Sequence, residues 1–413
     1  MEKEAEKVEA TEPETEKKAG DGGTEKKAGD GGTEEKAIAV ECREQAPVLN
    51  IAACCRIREY GESSGNGKSR QFVYSRFRIW RAYQHPRFNS SFKSMKFLRN
   101  SHHVVAGCNS GEVKVVDLNS NRVIQNGISH RFAVSNLQCV SGHDTAMVLS
   151  SNNREVMLWR DAYSLSEGAI HSFEECKLAR CSNAGDIVAA THTRLNQIRL
   201  FDVQTCRHMQ KFTHPFQLPA RVIDANLMIH FHPLDTLFLC HGILWDRRTS
   251  TSPVHRFEQN RGGGFHPSGN EVIINSGIWD LRSFKQLRSS PLLDQTRITF
   301  NAGGDVIYAF LNSRGADFGP GFLTLDAKDY SLFAKVKLRD PVTVTDFAVD
   351  PTDSVLGLTT LSHRGQGTAV TYQIGRQGDR TDRVDNRTLV ETSDNESTSE
   401  EDDQSTSDEE DDD

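Results

Sequence analysis

A tetrapeptide and a turn recur together in this chain at one fixed spacing, and a repeat of that kind leaves few architectures open. Trp245-Asp246-Arg247-Arg248 and Trp279-Asp280-Leu281-Arg282 both read Trp-Asp-x-Arg. Each follows a Phe-His-Pro step, Phe231-His232-Pro233 before the first and Phe265-His266-Pro267 before the second. The offset from proline to tryptophan is 12 in both copies. Two matches at one offset imply a structural unit used more than once.

From Phe72 to Gly375 short apolar runs are broken by Gly, Asn, Asp and Pro turns, and no 3.6-residue stripe is sustained. That is the pattern of an all-β chain. The strongest strand of each unit ends at Asp117, Arg160, Asp202, Asp246, Asp280, Asp326 and Gln373, at intervals of 43, 42, 44, 34, 46 and 47 residues. A four-stranded propeller blade takes roughly 40–45 residues, so the 304 residues from 72 to 375 are used up by seven blades. Tight-turn compositions lie upstream of the marks at Leu98-Arg99-Asn100-Ser101, Asn183-Ala184-Gly185-Asp186, His232-Pro233-Leu234-Asp235, His266-Pro267-Ser268-Gly269, Asn301-Ala302-Gly303-Gly304 and Asp350-Pro351-Thr352-Asp353.

The expected fold is all-β, a seven-bladed propeller over 72–376. The aromatic and β-branched stretch 71–80 reads as a strand, and 72–83 is the natural candidate to complete the last blade and close the ring. Closure of that kind leaves only short, protected edges. The 34-residue interval predicts a compact blade between Asp246 and Asp280, and 313–321 reads as a loop insertion.

Residues 1–71 and 377–413 are expected to be disordered. The first 45 residues contain a nonapeptide, Thr15 to Gly23, repeated at Thr24 to Gly32, which offers charge and glycine but nothing to bury. Those 45 residues carry a net −6 and residues 388–413 a net −13, which leaves +11 for the middle of a chain whose overall charge is −8. In the acidic tail Ser393, Ser399, Ser405 and Ser407 each have an acid three residues on, the pattern acidophilic kinases favour. A solubilising tail and a regulatory, cation-binding one both fit that composition.

The nine cysteines are odd in number and scattered without a C-x-x-C pair, with only Cys54 and Cys55 adjacent. Reduced thiols are expected, without a disulfide framework or a zinc site. The first residues lack a signal-peptide core and no apolar run approaches a membrane span, so a soluble intracellular protein is expected.

Gly61 to Ser69 imitates a phosphate-binding loop, but its spacer is five residues where the loop needs four. A Gly/Ser linker is the better reading. His230, His232 and His241 lie close to Cys240, yet His232 and His266 occupy equivalent turns of neighbouring units, so structural histidines are expected rather than metal ligands. No catalytic motif survives inspection, and neither enzymatic activity nor a cofactor is expected.

The informative residues are Arg248 and Arg282. Tryptophans between blades and carboxylates closing turns are general features of blades. Two places after the marker Asp, however, other units have Asn119, Gln204 and Lys328. The fold does without arginine there, so two guanidinium groups at one offset in adjacent units point to pairing with a partner's carboxylates, in preference to solvated or intramolecular pairing.

Tandem Trp-Asp-x-Arg motifs, with Tyr74-Ser75-Arg76-Phe77-Arg78, Glu271-Val272-Ile273-Ile274-Asn275, Leu293-Asp294-Gln295, Tyr372-Gln373-Ile374-Gly375-Arg376 and the acidic tail in that order, resemble the cullin-4-associated factor family of WD-repeat substrate receptors. The resemblance covers roughly 72–413, and the wording around Pro351 is most similar to plant members. It implies a WD-repeat β-propeller that docks on the damaged-DNA-binding adaptor of a cullin-4 ubiquitin ligase and presents protein substrates. Trp245, Asp246, Arg248, Trp279, Asp280 and Arg282 would form the adaptor-binding set. It also implies nuclear residence. The long helical region and dimerisation motif of full-length members have no counterpart at the front of this chain, so a monomeric receptor is expected. The competing readings are a basic propeller binding chromatin or nucleic acid, and a paralogue that docks without a substrate.

Overall fold

The computed structural model describes residues 67–388 apart from 85–90, 100–101, 129, 142–145, 216–228, 249–251, 259–262, 312–319, 339–341, 363–364 and 377–384. Among the described residues seven sheets are arranged along the chain, six of them four-stranded antiparallel meanders and the seventh shared between the two ends. After β1 (Phe77–Gln84), blade 1 is built from β2 (Phe92–Phe97), β3 (His103–Cys108), β4 (Glu112–Asp117) and β5 (Arg122–Ile128). Blade 2 has β6 (Asn136–Ser141), β7 (Ala146–Ser151), β8 (Val156–Trp159) and β9 (His171–Ser172). Blade 3 has β10 (Cys176–Cys181), β11 (Ile187–His192), β12 (Gln197–Asp202) and β13 (His208–Thr213).

The two blades that carry the tandem motif are the most abbreviated. Blade 4 comprises β14 (Ile229–Phe231), β15 (Leu237–Cys240), β16 (Ile243–Asp246) and β17 (His255–Arg256). Blade 5 comprises β18 (Gly264–Phe265), β19 (Glu271–Ile274), β20 (Gly277–Asp280) and β21 (Gln286–Ser289). Blade 6 returns to longer strands in β22 (Thr296–Phe300), β23 (Val306–Leu311), β24 (Gly321–Asp326) and β25 (Leu332–Lys337).

Blade 7 takes β26 (Val342–Val349), β27 (Val355–Ser362) and β28 (Gly367–Ile374) from the C-terminal side and β1 (Phe77–Gln84) from the N-terminal side. β1 runs antiparallel to β28 from Phe77 opposite Ile374 to Gln84 opposite Thr368. The expected ring closure is therefore borne out, and so is the sevenfold count. All seven marks fall on or directly after third strands, and the turn compositions fall between first and second strands. First strands lie against one another from blade to blade, β2 against β26 and β6, β10 against β6 and β14, β14 against β18. They surround the ring's centre. The apolar clusters sit between blades, as where Ile187, Ile198 and Phe212 of blade 3 meet Phe238 and Trp245 of blade 4.

Two expectations need correction. The stretch 71–80 is not one strand, because Gly67–Tyr74 forms a helix, α1, ahead of β1. Tertiary partners override the aromatic and β-branched composition. Tyr74 is buried against Tyr308 and stacks on Phe333 with ring centroids 6.2 Å apart, and its hydroxyl donates to Asp353. One turn earlier on the same helical face, Arg70 pairs with Asp305 at 3.2 Å and Asp326 at 3.3 Å. The C-terminal tail also supplies structure: β29 (Asp385–Thr388) adds to β1 in parallel, Arg81 opposite Asp385. β1 would otherwise be the open edge of its blade, and edge pairing needs only backbone groups. The nonapeptide tract, most of Gly61 to Ser69, the insertion at 313–321 except its last two residues, and Ser393, Ser399, Ser405 and Ser407 lie outside the described residues.

Candidate functional site

The Asp of the Trp-Asp-x-Arg motif performs a task shared around the ring. At the end of its third strand Asp117 accepts the backbone N–H of Asn119 at 2.8 Å. Asp202 accepts that of Thr205 at 2.7 Å, and Asp326 that of Lys328 at 2.7 Å. Asp246 and Asp280 do the same with Arg248 at 2.9 Å and Arg282 at 3.3 Å. Such an aspartate turn offers the backbone a local partner where the ladder ends. The carboxylate belongs to the architecture, and the side chain two residues on is free to vary.

The tryptophans are also architectural. Trp245 is fully buried, with its ring 5.4 Å from Phe212 of the preceding blade and stacked near Phe238. Trp279 is half-buried against Phe257, 5.4 Å away on the chain that leaves blade 4. Both fill the seam towards the preceding blade. Among the described residues neither indole N–H has an acceptor.

What separates blades 4 and 5 from the others is arginine, and the two copies are not alike. The Arg248 guanidinium folds back onto its own capping residue, Nε donating to Asp246 Oδ1 at 3.1 Å and Nη2 to Oδ2 at 2.9 Å. Its side chain is still 61% exposed. Hydrogen bonding from Arg248 holds the Asp246 carboxyl below the usual range and raises the arginine's own pKa. Arg282 is exposed and reaches Asn270 Oδ1 at 3.5 Å, with no ion pair among the described residues. The hydroxyl of Ser283, 2.7 Å away, is the chief group lowering the pKa of Asp280.

In a four-stranded meander the first and third connections lie at the same end of the blade. Arg248, Arg282 and the His-Pro turns of blades 4 and 5 therefore share one rim. Contacts across that rim agree, since Leu281 N–H donates to Asn270 O at 2.9 Å and Arg247 N–H to Thr236 O at 3.2 Å. At blade 6 the rim is already occupied, because Arg70 of α1 is seated on Asp305 and Asp326. Blades 4 and 5 present their arginines beside that covered position.

The histidines divide by role. His232 shares its ring nitrogen Nε2 with the carbonyl of Gly269 in the next blade at 2.9 Å, and His266 bonds Ala327 O of blade 6 at 3.2 Å. The equivalent turn residues are thus equivalent staples between blades, as their spacing predicts. Asn183 and Asp235, joined at 2.8 Å, do the same between blades 3 and 4. His230 faces the ring's centre near Arg180 and Arg297, and His241 lies against His214 with ring centroids 5.6 Å apart. With His232 stapled to Gly269, the three do not converge on a common point.

A triad-like arrangement in blade 2 escaped the sequence reading because its members are spread over 130–159. His130 Nε2 lies 2.7 Å from Ser150 Oγ, and its Nδ1 lies 3.4 Å from Glu155. Nucleophile, base and carboxylate are in the right order. However, Ser150 is fully buried and also accepts the indole N–H of Trp159 at 2.7 Å. This is a buried hydrogen-bond network that ties the strands of the blade together.

In an alignment of 338 positions that covers 77% of the chain, it is 40% identical to an Arabidopsis thaliana protein, DDB1- and CUL4-associated factor homolog 1. The chain is a homologue of the DDB1- and CUL4-associated factor 1 proteins. A Caenorhabditis elegans protein of the same name is 26% identical over 65% of the chain, and the Drosophila melanogaster protein mahjong 26% over 70%. The chain spans less than a fifth of the length of these relatives, 18%, 16% and 19%. No family model matches it. Within the tandem motif, Arg248 and Arg282 are the residues that the blade architecture leaves unexplained.

Proposed function

We propose that the ring is a substrate-receptor module of a cullin-4 ubiquitin ligase, seated on the ligase's damaged-DNA-binding adaptor through Arg248 and Arg282. The observation that carries this reading is the pair of exposed guanidinium groups at matching turns of adjacent blades, on a fold whose other blades cap the same turn without arginine. A planar five-donor fork suits bidentate contact with carboxylates of a partner. The names of the relatives support the choice of partner. In this reading the chain has no catalytic step of its own, acts as a monomeric receptor in the nucleus, and offers a protein target on the rest of its surface. Trp245, Trp279, Asp246 and Asp280 hold the two arginines at the rim.

The test is affinity purification of the intact chain and of Arg248→Glu/Arg282→Glu. The wild type is expected to bring down the adaptor and the cullin, and the double variant to lose both. Retention of the adaptor by a folded double variant sinks the proposal. Proteins that stay bound to the double variant are candidate substrates.

A further inference from the structure

The centre of the ring carries a charge imbalance that the docking rim does not use. Lys96 on β2, Arg180 on β10 and Arg297 on β22 come from first strands of blades 1, 3 and 6, so they are separated by two, three and two blades around the ring. Among the described residues they face one carboxylate. Asp346 on β26 is 1% exposed, accepts Lys96 Nζ at 2.8 Å and the Met95 N–H at 3.1 Å on one oxygen, and lies 3.4 Å from Arg297 Nη2 with the other. Its oxygens are engaged. Among the described residues Arg180 makes no ion pair.

The three cations sit deep yet reachable by water. The Lys96 side chain is 25% exposed and that of Arg297 12%, although protein surrounds them. Burial pushes the pKa of both Lys96 and Arg180 down, and Arg297 pushes both further, so the groups lie within each other's field. The same burial, with Arg180 and Arg297 nearby, lowers His230 to about 3 and keeps it neutral. An under-compensated cation cluster in a protein-lined space is costly unless an anion joins it.

We propose that the central channel binds a small multivalent oxyanion of the phosphate type, held by Lys96, Arg180 and Arg297. Lys96, Arg180 and Arg297 carry donors and no acceptor atom, which selects a ligand made of acceptors, and Lys96 Nζ also donates to Phe347 O at 3.0 Å and Arg297 Nη1 to Thr345 O at 3.4 Å. Arginine forks grip phosphoryl oxygens bidentately and a lysine adds a point charge. Donors arriving from three directions match a tetrahedral phosphoryl group, whereas a planar carboxylate offers two oxygens in one plane.

The test uses the full chain, titrated calorimetrically with inorganic phosphate, tripolyphosphate and malonate at an ionic strength fixed with sodium chloride. One saturable site per chain is expected, with tripolyphosphate tighter than phosphate and malonate at least tenfold weaker than tripolyphosphate. Arg180→Gln is expected to weaken tripolyphosphate at least tenfold, and without anion to melt no lower than the wild type, because it removes a cation repelled by its neighbours. Arg180→Lys keeps the charge, loses the fork, and is expected to fall between the two. Lys211→Gln, on an exposed outer-strand position, is expected to bind like the wild type. Unsaturable binding, equal affinity for malonate, an unchanged affinity in both Arg180 variants, or an equal loss in Lys211→Gln would each overturn the proposal.

Discussion

Arg248 lays one edge of its guanidinium, Nε and Nη2, on the two oxygens of Asp246, whereas Arg282 leaves Asp280 to the hydroxyl of Ser283. A partner carboxylate must compete with Asp246 for that edge of the first arginine and, among the described residues, meets no carboxylate paired with the second. Arg282→Glu alone should therefore weaken adaptor binding more than Arg248→Glu alone. Surface plasmon resonance with immobilised adaptor gives the two affinities, and the opposite order would mean that the Arg248–Asp246 pair docks as a unit.

Acid should loosen the ring before its carboxylates titrate. Burial and the neighbouring Arg180 and Arg297 hold His230 at about 3, and burial with His214 nearby holds His241 at about 4. In the unfolded chain both return to about 6.5. Below that value the unfolded state binds more protons, so stability is lost as pH falls from 6.5 towards the folded values. By pH 5 each histidine should cost on the order of 1–2 kcal/mol. Urea unfolding at pH 7.5 and pH 5 should show this loss, reduced in His230→Gln; an equal acid loss in that variant would remove His230 as a cause.

Trp159 and Trp245 are both fully buried, but of the two, among the described residues, only Trp159 has an acceptor for its indole N–H. Phenylalanine at 159 breaks a bond to Ser150, while phenylalanine at 245 removes a donor that was already desolvated without a partner. Trp159→Phe should be about 1 kcal/mol more destabilising than Trp245→Phe. Denaturant titration of the two variants decides it, and equal costs would refute the argument.

Gly269 has φ +75°, and a Cβ there would fall 3.0 Å from Nε2 of His232, the atom that bonds the Gly269 carbonyl. Gly365, at φ +80°, has no atom of the described residues within 4 Å of the place a Cβ would take. Alanine at 365 should cost only the left-handed backbone penalty of about 1–2 kcal/mol. Alanine at 269 should cost more, because the staple between blades 4 and 5 must shift as well. Thermal unfolding that ranks the two equally would mean that His232 yields without loss.

The parts of the fold that announce themselves in the sequence are those with a local physical cause. Third strands such as Ile243–Asp246 and Gly277–Asp280 are short apolar runs that end in a turn-capping carboxylate, so they could be counted. The His-Pro turns show through the spacing they share. The helix Gly67–Tyr74 does not, since Arg70 and Tyr74 find their partners at Asp305, Asp326 and Asp353, far along the chain. β29 leaves no trace because strand addition to β1 asks only for backbone. The central cations were invisible for a related reason: Lys96, Arg180 and Arg297 are ordinary basic residues until the ring closes around them. At the rim the sequence marked both arginines, but not that one of them turns back onto its own aspartate.

The join between β1 and β28 sets a timetable for synthesis. During translation β1 emerges first, yet its partner strand ends at Ile374, nearly three hundred residues later. Until then Ile79, Trp80 and Tyr83 have no neighbour from blade 7, and six blades can form only as an open arc. Contacts this distant along the chain are slow to form and leave strand edges exposed meanwhile. A stop codon before position 367 would remove the whole of β28, leaving an arc that cannot shut and a strand at its front with nothing to zip to.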